Sequence, residues 1–155
     1  MHNEIRARWM IRADMCNVVK LDDDTNEWSA IGEDNYLGYL RGSEHIGIVA
    51  EDEKQRIRGV ICYNLNREEH SLDIWRIVAD CFEAHSVLLD YLANKLARHN
   101  TPYKVLVIQV SEDDAFLLKL LKNYGFCAKC VVRGEQDCPD CYCMSYQLPI
   151  GELVV

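Results

Sequence analysis

Three segments in the middle of the chain alternate between polar and apolar residues, and each is rich in β-branched and aromatic side chains. They are His45–Glu51, Arg58–Leu65 and His70–Ala79, and charged turns separate them. Alternation of this kind is typical of strands that turn one face toward a core. We therefore predict three consecutive strands.

A helical period replaces the alternation after the third strand. From Ala84 to His99, apolar residues recur at the spacing of one helical face: Val87, Leu88, Tyr91, Leu92 and Leu96. The segment Lys104–Val110 is almost entirely apolar, which predicts a central strand covered on both faces. A second amphipathic helix is predicted over Asp113–Tyr124, with Gly125 as its C-terminal cap.

The last part of the chain reads as a hairpin. Its strands are Phe126–Arg133 and Cys141–Leu148, and its loop is Gly134–Asp140. The chain has 155 residues, no Pro/Gly/Ser-rich linker and no internal repeat. We therefore predict a single α/β (α+β) domain over residues 1–155, with a core at about 5–148.

Composition and charge exclude several functions. Apolar residues make up 49% of the chain and charged residues 27%, as in an ordinary globular protein. The apolar runs are too short for a membrane span and the start does not read as a secretory signal, so we expect a cytoplasmic protein without a membrane partner. The net charge of −8 argues against nucleic acid as a partner. The acidic run Asp22–Asp24 reads as a solvated loop, or at lower weight as an attractor of a cationic amine.

Eight cysteines in such a chain suggest reduced thiols. The spacings Cys127-x-x-Cys130 and Cys138-x-x-Cys141 are those of a two-knuckle zinc site. In the predicted hairpin, however, Cys130 would lie near Cys141 or Cys143, and Cys127 about 10 Å further along the ladder. We therefore predict no metal site and keep a zinc-dependent interaction module as the less favoured alternative.

Several segments together resemble the GNAT superfamily of acyl-CoA-dependent N-acetyltransferases. These are IRARWMIRADMCNVVKLD, HIGIVAEDE, RIRGVICYNL, VIQVSEDDAFLLKLLKNYGF and DCYCMSYQL, and they cover most of Ile5–Leu148. Within the superfamily they are most similar to the ribosomal-protein alanine N-acetyltransferase branch. The resemblance implies a mixed, mostly antiparallel sheet of about seven strands with about four helices.

The resemblance also implies an acetyl-CoA site. The backbone of Ile77 and Val78 would bind the pantetheine arm as an added strand. The pyrophosphate would lie on the N-terminus of the following helix, where free N–H groups and the helix dipole favour anions. The residues implied on this helix are His85, Ser86, Val87 and Leu88.

The expected phosphate loop departs from the family pattern of a basic residue and two small residues. Those positions hold Glu83, Ser86 and Leu88, and Asp80 lies just before them. Asp80 and Glu83 would repel a pyrophosphate, each by about 1 to 4 kcal/mol at 4 Å. His85, if protonated, would return some attraction.

The implied catalytic groups are a carboxylate and a tyrosine. Glu112 follows the predicted strand Lys104–Val110 and would accept the amine proton, although it could equally serve as a helix N-terminal residue. The family places a tyrosine four residues before the glycine of Tyr124-Gly125-Phe126, where this chain has Leu121. Tyr124 is then the remaining candidate acid.

Two functions stay open on this resemblance. The first is transfer of an acetyl group from acetyl-CoA to an amine, a small molecule or a peptide N-terminus. The second is a catalytically inactive domain of the same fold that has lost CoA binding and acts as an interaction module. The edge of the final hairpin could also pair two copies into a homodimer.

Overall fold

A seven-stranded mixed sheet organises the chain in the computed structural model, which describes residues 4–26, 31–41 and 43–148. The elements in chain order are β1 (Arg6–Trp9), a 3₁₀ turn (Arg12–Asp14), α1 (Met15–Thr25), α2 (Glu33–Arg41), β2 (His45–Glu51), β3 (Ile57–Asn66), β4 (Ser71–Ala79), α3 (Phe82–Leu96), β5 (Val105–Ser111), α4 (Ala115–Tyr124), β6 (Cys127–Val132) and β7 (Cys141–Tyr146). The predicted order of strands and helices is confirmed.

The strand order in the sheet is β1-β2-β3-β4-β5-β7-β6. β4 and β5 pair in parallel, whereas β1 with β2, β2 with β3, β5 with β7 and β6 with β7 pair antiparallel. Residue contacts group into two compact units. The first unit contains the chain up to Leu65 together with Trp75–Leu92, and the second contains Asn66–Ile74 and the chain from Ala93 onward.

The first unit has its core where α1 and α2 pack on the sheet. The buried residues of this core include Met15, Val18, Tyr36, Val60 and Val78. α3 packs on the opposite face, and it lies close to β3 at Gly59. A methyl group at Gly59 would come within 3.0 Å of Leu88 and 3.2 Å of Ala79, so glycine permits this approach.

The second unit buries one face of β5 and leaves the other open. Leu106, Ile108 and Val110 are buried, while Gln109 between them is exposed. The prediction that this strand is covered on both faces is therefore wrong, because its side chains alternate between a core and an open face. α4 ends at Gly125, which has a φ of +127° and permits the tight turn to β6.

Two local boundaries differ from the sequence prediction. α3 begins at Phe82 and ends at Leu96, so it starts two residues before Ala84. The acidic run Asp22–Asp24 lies in α1 rather than in a loop, and Asp22 is completely buried. No helix in the described ranges is long and apolar enough to cross a membrane.

Candidate functional site

β4 changes its character in the middle. Its parallel register with β5 runs from Ser71 opposite Val105 to Ile74 opposite Ile108, and the strand then continues through Trp75–Ala79. Just beyond the registered pairing, two successive side chains of β4 contact the helices α2 and α1. The Trp75 ring stacks on Tyr39 of α2, with centroids 4.9 Å apart, while the Arg76 guanidinium bonds to Asp22 of α1.

The registered pairing of β4 with β5 ends at Ile74. Ile77 and Val78, the predicted pantetheine-binding residues, follow three and four positions later and bury their side chains. Their backbone therefore belongs to the part of β4 beyond the registered pairing with β5.

A largely buried charged network holds this segment of β4. Asp22 accepts hydrogen bonds from two nitrogens of Arg76 at 2.6 and 3.2 Å, and from the Tyr36 hydroxyl at 2.8 Å. Asn26 donates a further bond to Asp22 at 2.9 Å. Burial alone would raise the pKa of Asp22, but the bonds from Arg76, Asn26 and Tyr36 outweigh it and lower the pKa. Asp22 is therefore an ionised, fully partnered carboxylate.

The connection from β4 to α3 has only two residues, Asp80 and Cys81. The expected phosphate-loop positions Glu83, Ser86 and Leu88 consequently lie in the first two turns of α3 rather than in a loop. Leu88 is fully buried and packs near Gly59 of β3. Its side chain serves the core, so only backbone or partly exposed groups of this segment could meet a phosphate.

Cys81 lies directly before Phe82, the first residue of α3, and is partly buried. Burial is the main cause that raises the pKa of the Cys81 thiol, and the neighbouring Asp80 raises it further, so the thiol stays neutral at neutral pH. A neutral thiol and an acidic side chain thus precede the helix end that the resemblance reserves for a pyrophosphate.

Asp80 is paired with Arg58 of β3. The Arg58 Nε donates to both Asp80 oxygens, at 2.8 and 2.9 Å, and its Nη1 lies 3.5 Å from Asp52. The hydrogen bond that Arg58 donates to Asp80 is the main cause that raises the pKa of Arg58. Sequence reasoning treated Asp80 as an isolated charge and missed Arg58, because nothing local joins residues 22 positions apart.

The other predicted cofactor residues of α3 differ in accessibility. His85 is only 6% exposed, and its Nδ1 lies 3.2 Å from the Cys81 carbonyl oxygen, which can accept its proton. Ser86 and Val87 are partly exposed. His85 therefore belongs to the first turn of a packed helix rather than to a solvated loop.

A cavity of about 290 Å³ lies beside Asp80 in the first unit. The cavity is lined by α1, the β2–β3 turn and the start of β3, and its lining contains both basic and acidic side chains. Its lining residues are Asn17, Lys20, Leu21, Asp24, Gln55, Arg56, Ile57 and Asp80. Lys20 and Arg56 are the cations of this lining.

The two predicted catalytic residues lie on either side of α4: Glu112 precedes it and Tyr124 ends it. Glu112 is exposed in the turn after β5, and its backbone N–H donates to the Asp140 carbonyl at 2.9 Å. Tyr124 is the last residue of α4, which at 1.5 Å per residue is about 15 Å long. The Tyr124 ring packs against Phe126 and Tyr146, with centroids 6.1 and 5.2 Å away. Leu121 is completely buried.

The open face of the second unit carries polar groups that the sequence did not single out. Gln109 of β5 lies opposite Cys143 of β7 on this face. In β4, Asp73 accepts bonds from Ser71 at 2.6 Å and from Asn66 at 3.0 Å. A side-chain amide does not take up a proton near neutral pH, so Gln109 could orient a substrate but not act as its base.

The hairpin pairs Cys130 with Cys143 and Cys127 with Ser145, as the sequence geometry predicted for Cys130. Within the described ranges, no group of three or more His, Cys, Asp or Glu side chains is arranged to hold a metal ion. The two-knuckle spacing is therefore spread along a ladder instead of being gathered around one point.

Comparison with known proteins gives structural matches only. No family model and no curated protein sequence matches the chain. An alanine N-acetyltransferase of a ribosomal protein from Escherichia coli is 12% identical, with a TM-score of 0.74 over 95% of this chain and 96% of that one. A spermidine N-acetyltransferase from Vibrio cholerae, in complex with CoA and spermine, is 14% identical, with a TM-score of 0.71 over 92% and 95%.

A GNAT-family acetyltransferase from Bacillus cereus is also similar, at 14% identity with a TM-score of 0.71 over 93% of this chain and 97% of that one. All three likenesses extend over nearly the full length of both chains. The chain therefore has the GNAT acyl-CoA N-acyltransferase fold, as its sequence predicted.

Proposed function

We propose that this chain binds acetyl-CoA along β4 and transfers the acetyl group to a primary amine. The observation that carries the proposal is the end of the β4–β5 register at Ile74, within a strand that continues to Ala79. It leaves Ile77 and Val78 in a segment beyond the registered pairing with β5, in a fold whose solved neighbours include a protein bound to CoA. The amide groups of a pantetheine arm can bond to such a backbone as an added strand does.

The phosphates of the cofactor need cations that the α3 terminus does not supply. Lys20 and Arg56 line the cavity beside Asp80. Arg56 also pairs with Asp52 at 2.8 Å, and Arg58 is paired with Asp80. We assign the phosphates to Lys20, Arg56 and the partly exposed Ser86. The assignment replaces the family loop with side chains from α1, the β2–β3 turn and α3.

The transfer needs a base for the substrate ammonium and a proton for the departing thiolate. Glu112 is the proposed base, acting through water because its side chain is exposed on a turn. Tyr124 was the predicted acid, but its ring packs in an aromatic cluster, so we assign the returning proton to solvent. The acceptor is an amine such as a polyamine or a protein N-terminus.

A second candidate function follows from the α3 terminus. Cys81 and Asp80 occupy the helix end, and the position expected to hold the acid is the buried Leu121. These observations favour a domain that has kept the fold and lost catalysis. Such a domain would act by contacts of its surface with another molecule.

An acetyl-transfer assay separates the two candidates. The protein is incubated with acetyl-CoA and a panel containing spermidine and a peptide with an N-terminal alanine, and acetylated products are detected by mass spectrometry. Product mass is the preferred readout because the eight protein thiols would interfere with detection of free CoA. Acetylated amine that is lost in Glu112→Gln but kept in Asp113→Asn supports the enzyme. No product with any amine contradicts it and supports the second candidate.

A further inference from the structure

The β6–β7 hairpin places two cysteines directly opposite each other. Cys130 pairs with Cys143 in the antiparallel ladder. Residues opposite each other in such a ladder have Cα atoms about 4.5 or 5.5 Å apart, according to whether the pair is hydrogen-bonded. Both separations lie within the range that a disulfide bridges.

The two thiols influence each other's protonation. Burial first, and interaction with the Cys130 side chain second, raise the pKa of the Cys143 thiol, so Cys143 keeps its proton at neutral pH. Cys130 is exposed on the outer strand, where a reagent from solution can reach it.

The other cysteines of the hairpin are less well placed for pairing. Cys127 lies opposite Ser145, and Cys141 lies opposite Val132. Cys141 is a diagonal neighbour of Cys130, and diagonal positions are about 7 to 8 Å apart, beyond the usual reach of a disulfide. The ladder therefore selects one pair from the cysteines of the two strands.

A backbone irregularity next to Cys130 adds freedom at the site. The register of β6 shifts between Ala128 and Cys130, which leaves Lys129 as an extra residue. β6 is also the outermost strand of the sheet, and each of its residues is exposed. The small movements that a disulfide torsion requires can therefore occur on β6 without disturbing a core.

We propose that Cys130 and Cys143 form a reversible thiol modification site, oxidised to a cross-strand disulfide by a low-molecular-weight disulfide such as glutathione disulfide. The Cys130 thiolate attacks one sulfur of the oxidant, forms a mixed disulfide and releases one glutathione thiol. Cys143 then gives its proton to solvent and attacks the Cys130 sulfur, which releases the second glutathione. Two protein thiols lose two electrons, and one glutathione disulfide becomes two glutathione thiols.

The full chain, freshly reduced, is equilibrated in buffers that span glutathione to glutathione disulfide ratios, then alkylated, digested and analysed by mass spectrometry. We expect a Cys130–Cys143 linked peptide that appears in one two-electron transition and disappears on return to reducing buffer. In Cys143→Ser the reaction should stop at the mixed disulfide between glutathione and Cys130. In Cys130→Ser neither this mixed disulfide nor the cross-strand link should form at these positions. Cys16→Ser, which removes an exposed thiol of α1, should leave the link unchanged.

Three results would overturn the proposal. They are alkylation of both thiols at every ratio, linkage of Cys130 mainly to Cys127, Cys138 or Cys141, and linkage between two copies of the chain. Thermal melts of each variant in reducing buffer establish that the serine replacements fold. In oxidising buffer the parent protein should melt at a higher temperature than Cys143→Ser, because the link closes the hairpin loop.

Discussion

At the scale of single residues, charge pairing decides what the candidate cofactor site can bind. Asp80 would oppose a pyrophosphate if it stood alone, but Arg58 bonds to both of its oxygens. The same pairing occupies a guanidinium that could otherwise bind phosphate. Asp80 therefore weakens anion binding mainly by holding Arg58.

Neutralising Asp80 should strengthen cofactor binding. Asp80→Asn frees Arg58 and removes one negative charge near the start of α3, and we expect acetyl-CoA to bind about tenfold more tightly. Calorimetric titration measures the change. Glu68→Gln, in the exposed β3–β4 turn, removes the same charge elsewhere and serves as the control. Equal effects of the two substitutions would show that only net charge matters.

Removing Asp22 should destabilise the fold in a pH-dependent way. Asp22→Asn leaves the partly buried Arg76, whose side chain is 18% exposed, without its counter-charge, which costs up to about 3 to 5 kcal/mol. Because the folded-state pKa of Asp22 is lowered, its contribution is present above about pH 4 and disappears as the pH falls through the folded-state value. We expect denaturant unfolding between pH 2 and 7 to give Asp22→Asn a lower free energy of unfolding than the parent protein at neutral pH. At the acid end of this range the two free energies should differ little. Asp23→Asn, at the exposed neighbouring position, should change the free energy of unfolding little.

At the scale of elements, close packing and a charged pair position the site. α3 lies over β3 because Gly59 has no side chain, and the β4 segment before α3 is fixed by Arg76 and Asp22. These contacts place Ile77, Val78 and the start of α3 together in the first unit. Their energies can be tested separately from any ligand.

Gly59→Ala should destabilise the protein by about 1 to 3 kcal/mol, since the added methyl meets Leu88 and backbone or side-chain atoms of β4. Gly38→Ala provides the matched control. That glycine lies within α2 and nothing comes within 4 Å of an added methyl, so alanine should stabilise the helix by about 0.5 to 1 kcal/mol. Urea denaturation of both variants measures the difference. The two changes in the free energy of unfolding should have opposite signs. An unchanged free energy in Gly59→Ala would contradict the close packing of α3 on β3.

At the scale of the whole molecule, local patterns predicted the order of elements and long-range contacts did not follow from them. The hairpin and the strands carry their own periodic signals, so their positions were predicted within a few residues. The start of α3 was misplaced because Cys81 is not a typical N-cap residue and Phe82 is an exposed aromatic. The Asp22–Arg76 pair joins positions 54 residues apart, which no local pattern reveals.

Binding of acetyl-CoA along β4 can be tested by titrating the protein with acetyl-CoA and following its backbone amide chemical shifts. We expect micromolar binding, with the largest shifts at Ile77 and Val78 and smaller ones at Lys20, Arg56 and Ser86. Shifts confined to other regions would contradict the proposed position of the cofactor. No binding at millimolar acetyl-CoA would contradict the enzyme and leave a GNAT-fold domain with a different function.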